Sequence, residues 1–410
     1  MQIKRLFSRL KSTLAVITVA LFVTATAASQ ETVLYSFNNN GTDGFNPWST
    51  LIADASGNLY GTTLYGGVNN KGTVFELTPQ GGGSWTETIL HSFGTGTDGA
   101  SPFNSLVLDT AGNLYGTTEV GGTHQFGAVF ELTPQKGGKW KEKVLHSFNV
   151  SDGAYPLGGL VLDSSGNLYG TTFVGGPHEN GNVFELTPEA GGKWKETVLH
   201  NFNNNGKDGY GPYEESLILD AAGNLYGTTF LGGKFGLGTI FELIPQASGK
   251  WQEKILHSFP SNSSDGELPF AGVIFDVSGN LYCSTSAGGT GGVGTVFELA
   301  AKKNGGWKGK VLHNFNDDGD GYDPFSVLIL DGAGNLYGTT GGGGTYGDGT
   351  VFELTKKGGW NETILHNFND DGTDGYTPYG GLLRDASGNL YGTTYNGGTY
   401  GYGTVFEITP

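Results

Sequence analysis

Two acidic connectors near the C-terminal end of the sequence have the residue types and spacing of a metal site. In the first, carboxylate and amide side chains alternate ahead of a glycine, as in the first half of a calcium loop. The twelfth position of that loop would be Val327, where an EF-hand requires glutamate, so an EF-hand is excluded. Calcium binding is one interpretation, and simple Asp-Gly turns on an exposed surface are the other. The candidate metal ligands are Asn316, Asp318, Asp320, Asp370, Asp371 and Asp374.

Tyrosines lie in the same connectors and in the Gly-rich loops that follow them. A tyrosine beside carboxylates and amides suits a sugar ring or a peptide, which needs a flat apolar face flanked by hydrogen-bonding groups. The alternative is that these aromatic rings only shield the loop backbone. The candidate ligand-binding residues here are Tyr322, Asp323, Tyr346, Tyr376, Tyr379, Tyr400 and Tyr402.

A few residues break the internal repeat and are the remaining candidates, because catalysis requires unique groups. Arg384 replaces an apolar residue on an inner strand and is expected to point toward a central channel, so it joins the ligand-binding candidates. Glu214 and Glu215 lie where one unit is longer than the others. The sequence contains no nucleophile elbow, zinc signature, phosphate loop or dinucleotide fingerprint, and no catalytic residue is predicted.

One glutamate and one histidine recur in nearly every unit, for example Glu76 and His91. An active site uses a few unique groups rather than a set of equivalent ones. We therefore interpret the repeated glutamates as cross-strand partners and the repeated histidines as structural hydrogen-bonding residues.

The elements that position these residues follow a fixed period. Each unit carries a Gly-Asn-Leu-Tyr-Gly-Thr-Thr segment or a close variant, and successive copies of its asparagine lie 54 to 57 residues apart. Such a period indicates a solenoid, a propeller or an array. The asparagines are Asn58, Asn113, Asn167, Asn224, Asn280, Asn335 and Asn389.

Each unit contains four apolar segments separated by turn residues. The first is a short run without polar alternation, which is typical of a strand buried on both faces, and the last alternates strongly, as an outer strand should. The first ordered segment, residues 31–37, matches the end of a fourth strand, and the last unit stops after its third strand. We therefore predict an all-β, seven-bladed β-propeller of four-stranded blades, closed by the N-terminal strand joining the last blade.

Composition and the first residues indicate export. Positive residues precede the apolar run 14–23, and small residues follow it, so residues 1–27 are predicted to be a cleaved signal peptide and residues 28–410 a single propeller domain. The chain carries 22 basic and 39 acidic residues, a net charge of −17. Such a surface should repel nucleic acid and anionic lipid, so no nucleic-acid partner and no membrane insertion after cleavage are expected. We expect a secreted monomer, periplasmic or extracellular.

The segment from Gly57 to Pro79 resembles the GloVer (Gloeo-Verruco) tandem repeat of exported bacterial proteins, and the resemblance extends over essentially the whole mature chain. It implies a secreted or surface β-propeller of unassigned activity that often carries a C-terminal sorting anchor. The sequence ends at Pro410 without such a tail, which favours release over surface attachment. The resemblance implies no catalytic residues and no cofactor beyond the possible calcium.

Two functions remain open on the sequence. The first is a non-enzymatic propeller that binds an extracellular glycan, peptide or surface partner through its Asp-Gly and tyrosine loops. The alternative is an extracellular hydrolase or lyase that acts on a polysaccharide or a lactone from the central channel, which would require unique polar residues to converge there.

Overall fold

A computed structural model describes residues 29–213, 217–261, 265–303, 305–316 and 319–410. The predicted signal peptide, Glu214, Glu215 and Asp318 lie outside the described residues. Within the described part, no helix is long and apolar enough to span a membrane.

The described chain forms seven antiparallel sheets, each built from an inner, a second, a third and an outer strand. This confirms the predicted all-β fold with seven four-stranded blades. The inner strands are Ile52–Ala53, Val107–Leu108, Val161–Leu162, Ile218–Leu219, Ile274–Phe275, Ile329–Leu330 and Leu383–Arg384. The second strands are Leu59–Gly66, Leu114–Thr118, Leu168–Thr172, Leu225–Thr229, Leu281–Thr285, Leu336–Thr340 and Leu390–Thr394.

The third and outer strands are longer, and their register shifts by one residue at a bulge in every blade. The third strands are Thr73–Pro79, Ala128–Gln135, Asn182–Glu189, Thr239–Pro245, Thr295–Ala301, Thr350–Thr355 and Thr404–Thr409. The outer strands are Trp85–Ser92, Lys139–Ser147, Lys193–Asn201, Trp251–Ser258, Trp307–Asn314, Asn361–Asn367 and, in the seventh blade, Gln30–Ser36, which pairs with Thr404–Thr409.

Two sets of loops share one face of the propeller, which we call the loop face. The connector from each outer strand to the next inner strand lies beside the loop between the second and third strands of that next blade, and short strands pair the two loops in several blades. These short strands are Gly44–Pro47, Gly99–Ala100, Val120–Gly121, Gly209–Tyr210, Leu231–Gly232, Gly375–Tyr376 and Asn396–Gly397.

The opposite face carries a hydrogen-bonded trio in every blade. In the first blade, the Tyr60 hydroxyl lies 3.2 Å from Oδ2 of Asp54 and 3.0 Å from Oε1 of Glu76, its partner across the sheet. Asp54 also accepts hydrogen bonds from the backbone of its own turn. The repeated glutamate is therefore the cross-strand partner that the sequence predicts.

The core lies between the blades rather than inside them. A phenylalanine after each outer strand packs edge to face against a phenylalanine on the third strand of the next blade. Ring centroids are 5.0 to 5.3 Å apart in all seven pairs, and the side chains are buried. The pairs are Phe37–Phe75, Phe93–Phe130, Phe148–Phe184, Phe202–Phe241, Phe259–Phe297, Phe315–Phe352 and Phe368–Phe406.

Among the described residues, a second-strand hydroxyl also links neighbouring blades near the axis at six of the seven junctions. The Thr117 hydroxyl donates to the Gly158 carbonyl at 3.0 Å, and the Thr393 hydroxyl of the seventh blade donates to the Ser49 carbonyl of the first at 3.1 Å. Both threonines are buried, so losing either bond would leave a shielded carbonyl without its donor.

The fifth blade departs from the repeat at two coupled positions. In five other blades the second strand has a glycine whose added Cβ would lie within 2.4 to 2.7 Å of the third-strand phenylalanine ring. Cys283 occupies that position and pairs with Phe297, whose ring then lies 4.9 Å from that of His257. A Cβ at Gly309 would lie only 2.5 Å from this ring, so the glutamate found at that outer-strand position in other blades cannot fit.

We therefore expect Cys283 and Gly309 to be energetically coupled. Gly309→Glu alone should destabilise the protein by roughly 1–3 kcal/mol through overpacking against Phe297. Adding Cys283→Gly should recover much of that loss, with a coupling energy of about 0.5–3 kcal/mol. Urea unfolding of the single and double variants measures this energy, and additive effects would contradict the coupling. The matched control is the inverse exchange in the second blade, Gly116→Cys together with Glu142→Gly.

Candidate functional site

The connectors on the loop face hold a strained backbone position in every blade. The residue before the connector proline has φ of 54° to 57° in six blades, and Gly211 has 61° in the fourth. A residue before proline normally prefers extended backbone, and a left-handed non-glycine residue costs of order 1–3 kcal/mol. The six residues are Asn46, Ser101, Tyr155, Leu268, Asp323 and Thr377.

Hydrogen bonds from two blades hold this conformation. The Asp323 backbone N–H donates to the Val293 carbonyl of the preceding blade, and the Asp323 carbonyl accepts from the Gly341 N–H of its own blade. Thr377 makes the equivalent pair of bonds with Asp348 and Tyr395. These hydrogen bonds therefore fix the positions of the residues that follow the proline.

Immediately after the prolines, seven side chains form a ring around the axis, which we call the aromatic collar. Neighbouring ring centroids are 4.1 to 5.7 Å apart, and the closest pair, Trp48 and Tyr379, is stacked. Leu157 fills the position in the third blade, and the six aromatic members are half-buried. The collar consists of Trp48, Phe103, Leu157, Tyr213, Phe270, Phe325 and Tyr379.

A small polar cavity of about 40 Å³ adjoins the collar at the axis. Its described lining includes the side chains of Thr50, Asn104, Ser105 and Ser326, and the backbone of Gly380. A Cβ at Gly380 would lie 2.8 Å from the Ser49 carbonyl, so the close approach requires glycine. The cavity presents hydroxyl and amide groups beneath an apolar mouth. Glu214, one residue after the collar tyrosine of the fourth blade, lies outside the described residues.

A second tier of side chains supports the collar from the ends of the second strands. Phe173 lies 5.0 Å from Tyr213, and Tyr395 lies 5.4 Å from Trp48, measured between ring centroids. Glu119 occupies the equivalent position in the second blade, and burial raises the pKa of its carboxyl group. Burial also raises the pKa of Asp323. The loops around the collar therefore combine aromatic side chains with carboxyl groups that retain a proton more readily than usual.

A second recurrent arrangement lies at the rim, between adjacent outer strands. The Nε2 atom of each outer-strand histidine faces a connector aspartate, for example at 3.0 Å between His91 and Asp98. A glutamate on the next outer strand, here Glu142, completes what we call a rim triad. Four of these histidines, His91, His200, His313 and His366, are hydrogen-bonded to the aspartate as the sequence predicts, whereas Nε2 of His146 and of His257 makes no hydrogen bond to the described residues. Tyr35 replaces the histidine beside Asp43, and Gly309 replaces the glutamate near His257.

The rim glutamates share one further property. The Oε1 atom of each is shielded from solvent and has no hydrogen-bond partner among the described residues. Burial, followed in most by repulsion from the nearby aspartate, raises the pKa of these carboxyl groups. The residues are Glu31, Glu87, Glu142, Glu196, Glu253 and Glu362.

The predicted ligand-binding residues fall into separate places. Tyr346 and Tyr400 are exposed by 58% and 57%. With Asp371 and Asp374 they line a groove of about 1030 Å³ between the sixth and seventh blades, which we call the rim groove. Tyr379 belongs to the collar instead.

The other predicted tyrosines support the loops. A Cβ at Gly342 would lie 2.3 Å from the ring of Tyr322, so this ring lies flat against the loop backbone. Tyr376 packs against the core of the sixth and seventh blades, and Tyr402 lies 5.3 Å from Phe45. Their rings are partly covered by their own loops.

Arg384 lies away from the tyrosines that were predicted to bind a ligand. It pairs with Leu390 at the start of the second strand, whereas Tyr400 lies beyond the other end of that strand. Its guanidinium group lies 5.9 Å from the ring centroid of Tyr337. Arg384 is therefore exposed at the face opposite the loops.

The predicted metal ligands also divide. Asn316 donates through its backbone and side-chain nitrogens to Asp320, which is a rim-triad member, as is Asp374. Asp371 accepts hydrogen bonds from its own turn. The backbone N–H of Asp370 donates to Asp348. The described members do not converge on one ion.

Sequence reasoning missed most of the collar. Of the seven collar residues, only Tyr379 was among the predicted binding residues, because the residues that follow the connector prolines were not compared between units. The residue after the proline is aromatic in six of the seven units, at the repeat period. This recurrence was the signal that could have identified the collar.

Comparisons with known proteins identify the family of this chain. A family model described as the Gloeobacter/Verrucomicrobia repeat matches residues 20–161, 138–253 and 217–410. No curated protein matches the chain. A Dyadobacter fermentans protein of unknown function is 11% identical, with a TM-score of 0.42 over 93% of this chain and 100% of that chain.

Two other solved structures are similarly distant. A candidate 6-phosphogluconolactonase from Bacteroides uniformis is 14% identical, with a TM-score of 0.49 over 83% of this chain and 87% of that chain. A luciferin-regenerating enzyme is 13% identical, with a TM-score of 0.44 over 93% of this chain and 96% of that chain. At these identities and TM-scores the likeness assigns no activity to this chain.

The rim glutamates predict a pH-dependent stability. Burial and then the charge of Asp43 raise the pKa of Glu87 to about 8, and burial and then Asp98 raise that of Glu142 to about 7. A carboxyl group with a raised folded-state pKa stabilises the fold fully below its unfolded pKa. That stabilisation is lost as pH rises through the folded value. We expect the melting temperature to fall between about pH 5 and pH 9.

The double variant Glu87→Gln/Glu142→Gln should lose less stability over this range than the wild type. Glu189→Gln, at an exposed end of a third strand, is the matched control and should follow the wild-type profile. Circular dichroism melts across the pH series measure the effect. A double variant that parallels the wild type would contradict the assignment.

Proposed function

We propose that this chain, which belongs to the Gloeobacter/Verrucomicrobia repeat family, is an exported binding protein that takes an extracellular glycan at the aromatic collar. The observation that carries the proposal is the collar itself, a ring of half-exposed aromatic side chains around a polar cavity. Sugar rings present apolar C–H faces edged by hydroxyl groups, which matches this combination.

The surroundings of the collar favour a neutral or hydroxyl-rich ligand over an anionic one. The chain carries a net charge of −17, which disfavours nucleic acid and acidic polymers. Glu119 and Asp323, on the loops that adjoin the collar segments, are carboxyl groups that can accept hydrogen bonds from hydroxyls or donate to them. The polar cavity of about 40 Å³ is smaller than a sugar ring, so a glycan would stack on the collar and only a single hydroxyl group would reach into the cavity.

Export is the second part of the proposal. The predicted signal peptide would deliver the propeller to the periplasm or the exterior, where polysaccharides are abundant. A single cysteine, Cys283, is buried, and burial raises the pKa of its thiol to about 12. The thiol is therefore unreactive, which suits a protein outside the reducing cytoplasm.

Aromatic substitutions test the collar. Trp48→Ala and Tyr379→Ala should each weaken binding to an oligosaccharide identified on a glycan array by at least about tenfold, or about 1.4 kcal/mol. Tyr346→Ala and Tyr400→Ala are matched controls, because these tyrosines line the rim groove rather than the collar. Isothermal titration calorimetry measures the affinities, and thermal melts verify folding.

Fluorescence gives an independent measurement for the same ligand. Trp48 is the collar tryptophan, so Trp48→Phe should remove any ligand-induced change in tryptophan emission while retaining binding. Affinity lost in the rim-groove variants but not in the collar variants would contradict the proposal. Binding of peptides alone would show that the ligand class is wrong.

A hydrolase or lyase that acts on a polysaccharide or lactone is the second candidate, and one observation favours it. Glu119 occupies the position that Phe173 and Tyr395 hold against the collar in other blades, and burial raises the pKa of its carboxyl group, as in a general acid. Such an enzyme should release reducing ends or open a lactone, and Glu119→Gln should reduce turnover more than affinity. If the bound oligosaccharide is recovered intact after prolonged incubation, this candidate is wrong.

A further inference from the structure

Three rim triads bring a histidine and two carboxylates close enough to share one ion. Within each of them, one ligand atom from every residue lies within 4.8 Å of the others. In the second, Nε2 of His313 lies 3.2 Å from Asp320 and 3.5 Å from Glu362. The three triads are His200–Asp208–Glu253, His313–Asp320–Glu362 and His366–Asp374–Glu31.

Each of these triads has one carboxylate oxygen without a hydrogen bond. Oε1 of Glu31, of Glu253 and of Glu362 is shielded from solvent and makes no hydrogen bond to the described residues, although those of Glu253 and Glu362 lie 3.6 and 3.5 Å from Nε2 of His200 and of His313. A shielded carboxylate oxygen beside a second carboxylate is costly unless a proton or a cation lies between them. These oxygens therefore give a second observation, beside the spacing, that points to a cation.

We propose that the rim triads formed by His200, His313 and His366 are binding sites for a zinc-type divalent cation. Zn²⁺ takes imidazole nitrogen and carboxylate oxygen together, and three protein ligands leave one position for water. Ca²⁺ prefers six to eight oxygens, so the imidazole selects against the calcium expected from the acidic connectors alone.

Neighbouring groups orient the carboxylates. Asp320 accepts two hydrogen bonds from Asn316, and Asp374 accepts from the backbone N–H groups of Asn369 and Gly375. Such outer contacts hold a metal ligand in place. They also give Asn316 the role of orienting a carboxylate, whereas the calcium interpretation treated it as a direct metal ligand.

The third site has two features of its own. Its members line the rim groove, so an ion can reach it from solvent. Glu31 belongs to the N-terminal strand, whereas His366 and Asp374 belong to the sixth blade and its connector. A bound ion would therefore attach the N-terminal strand to a second blade. The proposal does not depend on glycan binding.

The repeat supplies matched controls for the test. His257 has no glutamate opposite it because Gly309 occupies that position, so it should contribute no zinc site. Untagged protein, dialysed against a chelator, is titrated with ZnCl₂ by calorimetry, and bound zinc is counted by elemental analysis after gel filtration.

We expect about three bound zinc ions per chain, matching the three clusters. His200→Ala, His313→Ala and His366→Ala should each remove one, and zinc should raise the melting temperature. His257→Ala should remove none. Glu253→Gln and Glu362→Gln should weaken their sites about 10- to 100-fold while preserving side-chain shape.

A gain of binding provides a further test. The double variant Cys283→Gly/Gly309→Glu should place a glutamate opposite His257 and add one zinc ion. The proposal is overturned if zinc does not bind, if His257→Ala lowers the zinc count as the other histidine variants do, or if CaCl₂ displaces the bound zinc at equal concentration.

Discussion

The packing between neighbouring blades is the constraint on which the rest of the structure depends. One four-stranded sheet of this repeat has apolar residues on both faces and cannot bury them alone. Phenylalanines from consecutive blades, such as Phe93 and Phe130, remove that surface from water by meeting edge to face. Second-strand hydroxyls such as that of Thr117 then fix the distance between blades near the axis. Each blade is therefore stable only as a member of the series.

This constraint limits where the chain can vary. The glycine beside the third-strand phenylalanine cannot gain a side chain without moving the ring, and where Cys283 does so, Gly309 must make room on the outer strand. The residue after the connector proline differs among blades, as Trp48, Leu157 and Phe270 show, so a ligand bound at the axis would meet different side chains from different blades.

The repeat made the fold predictable because period, strand number and turn residues all indicated the same architecture. The roles of repeated groups followed for the same reason, as Glu76 and His91 demonstrate. Side-chain direction was not predictable. Tyr322 lies in a connector and Tyr400 in a loop between a second and a third strand, and both segments are rich in glycine. The ring of Tyr322 covers backbone and that of Tyr400 is exposed, because the fold of each loop decides which side is covered. Arg384 required the strand register to place it on the opposite face.

The two kinds of site differ in their position relative to the propeller axis. At the axis, one side chain from each blade joins the aromatic collar, so the collar can hold one ligand. The shape of the collar depends on differences between blades, such as Trp48 in the first and Leu157 in the third. At the rim, each interblade contact forms its own site, so several equivalent sites can act at once. Since the rim triads lie on outer strands and the collar on the segments before the inner strands, an ion at one and a glycan at the other need not compete. One repeated unit can thus support a single central site and multiple peripheral ones.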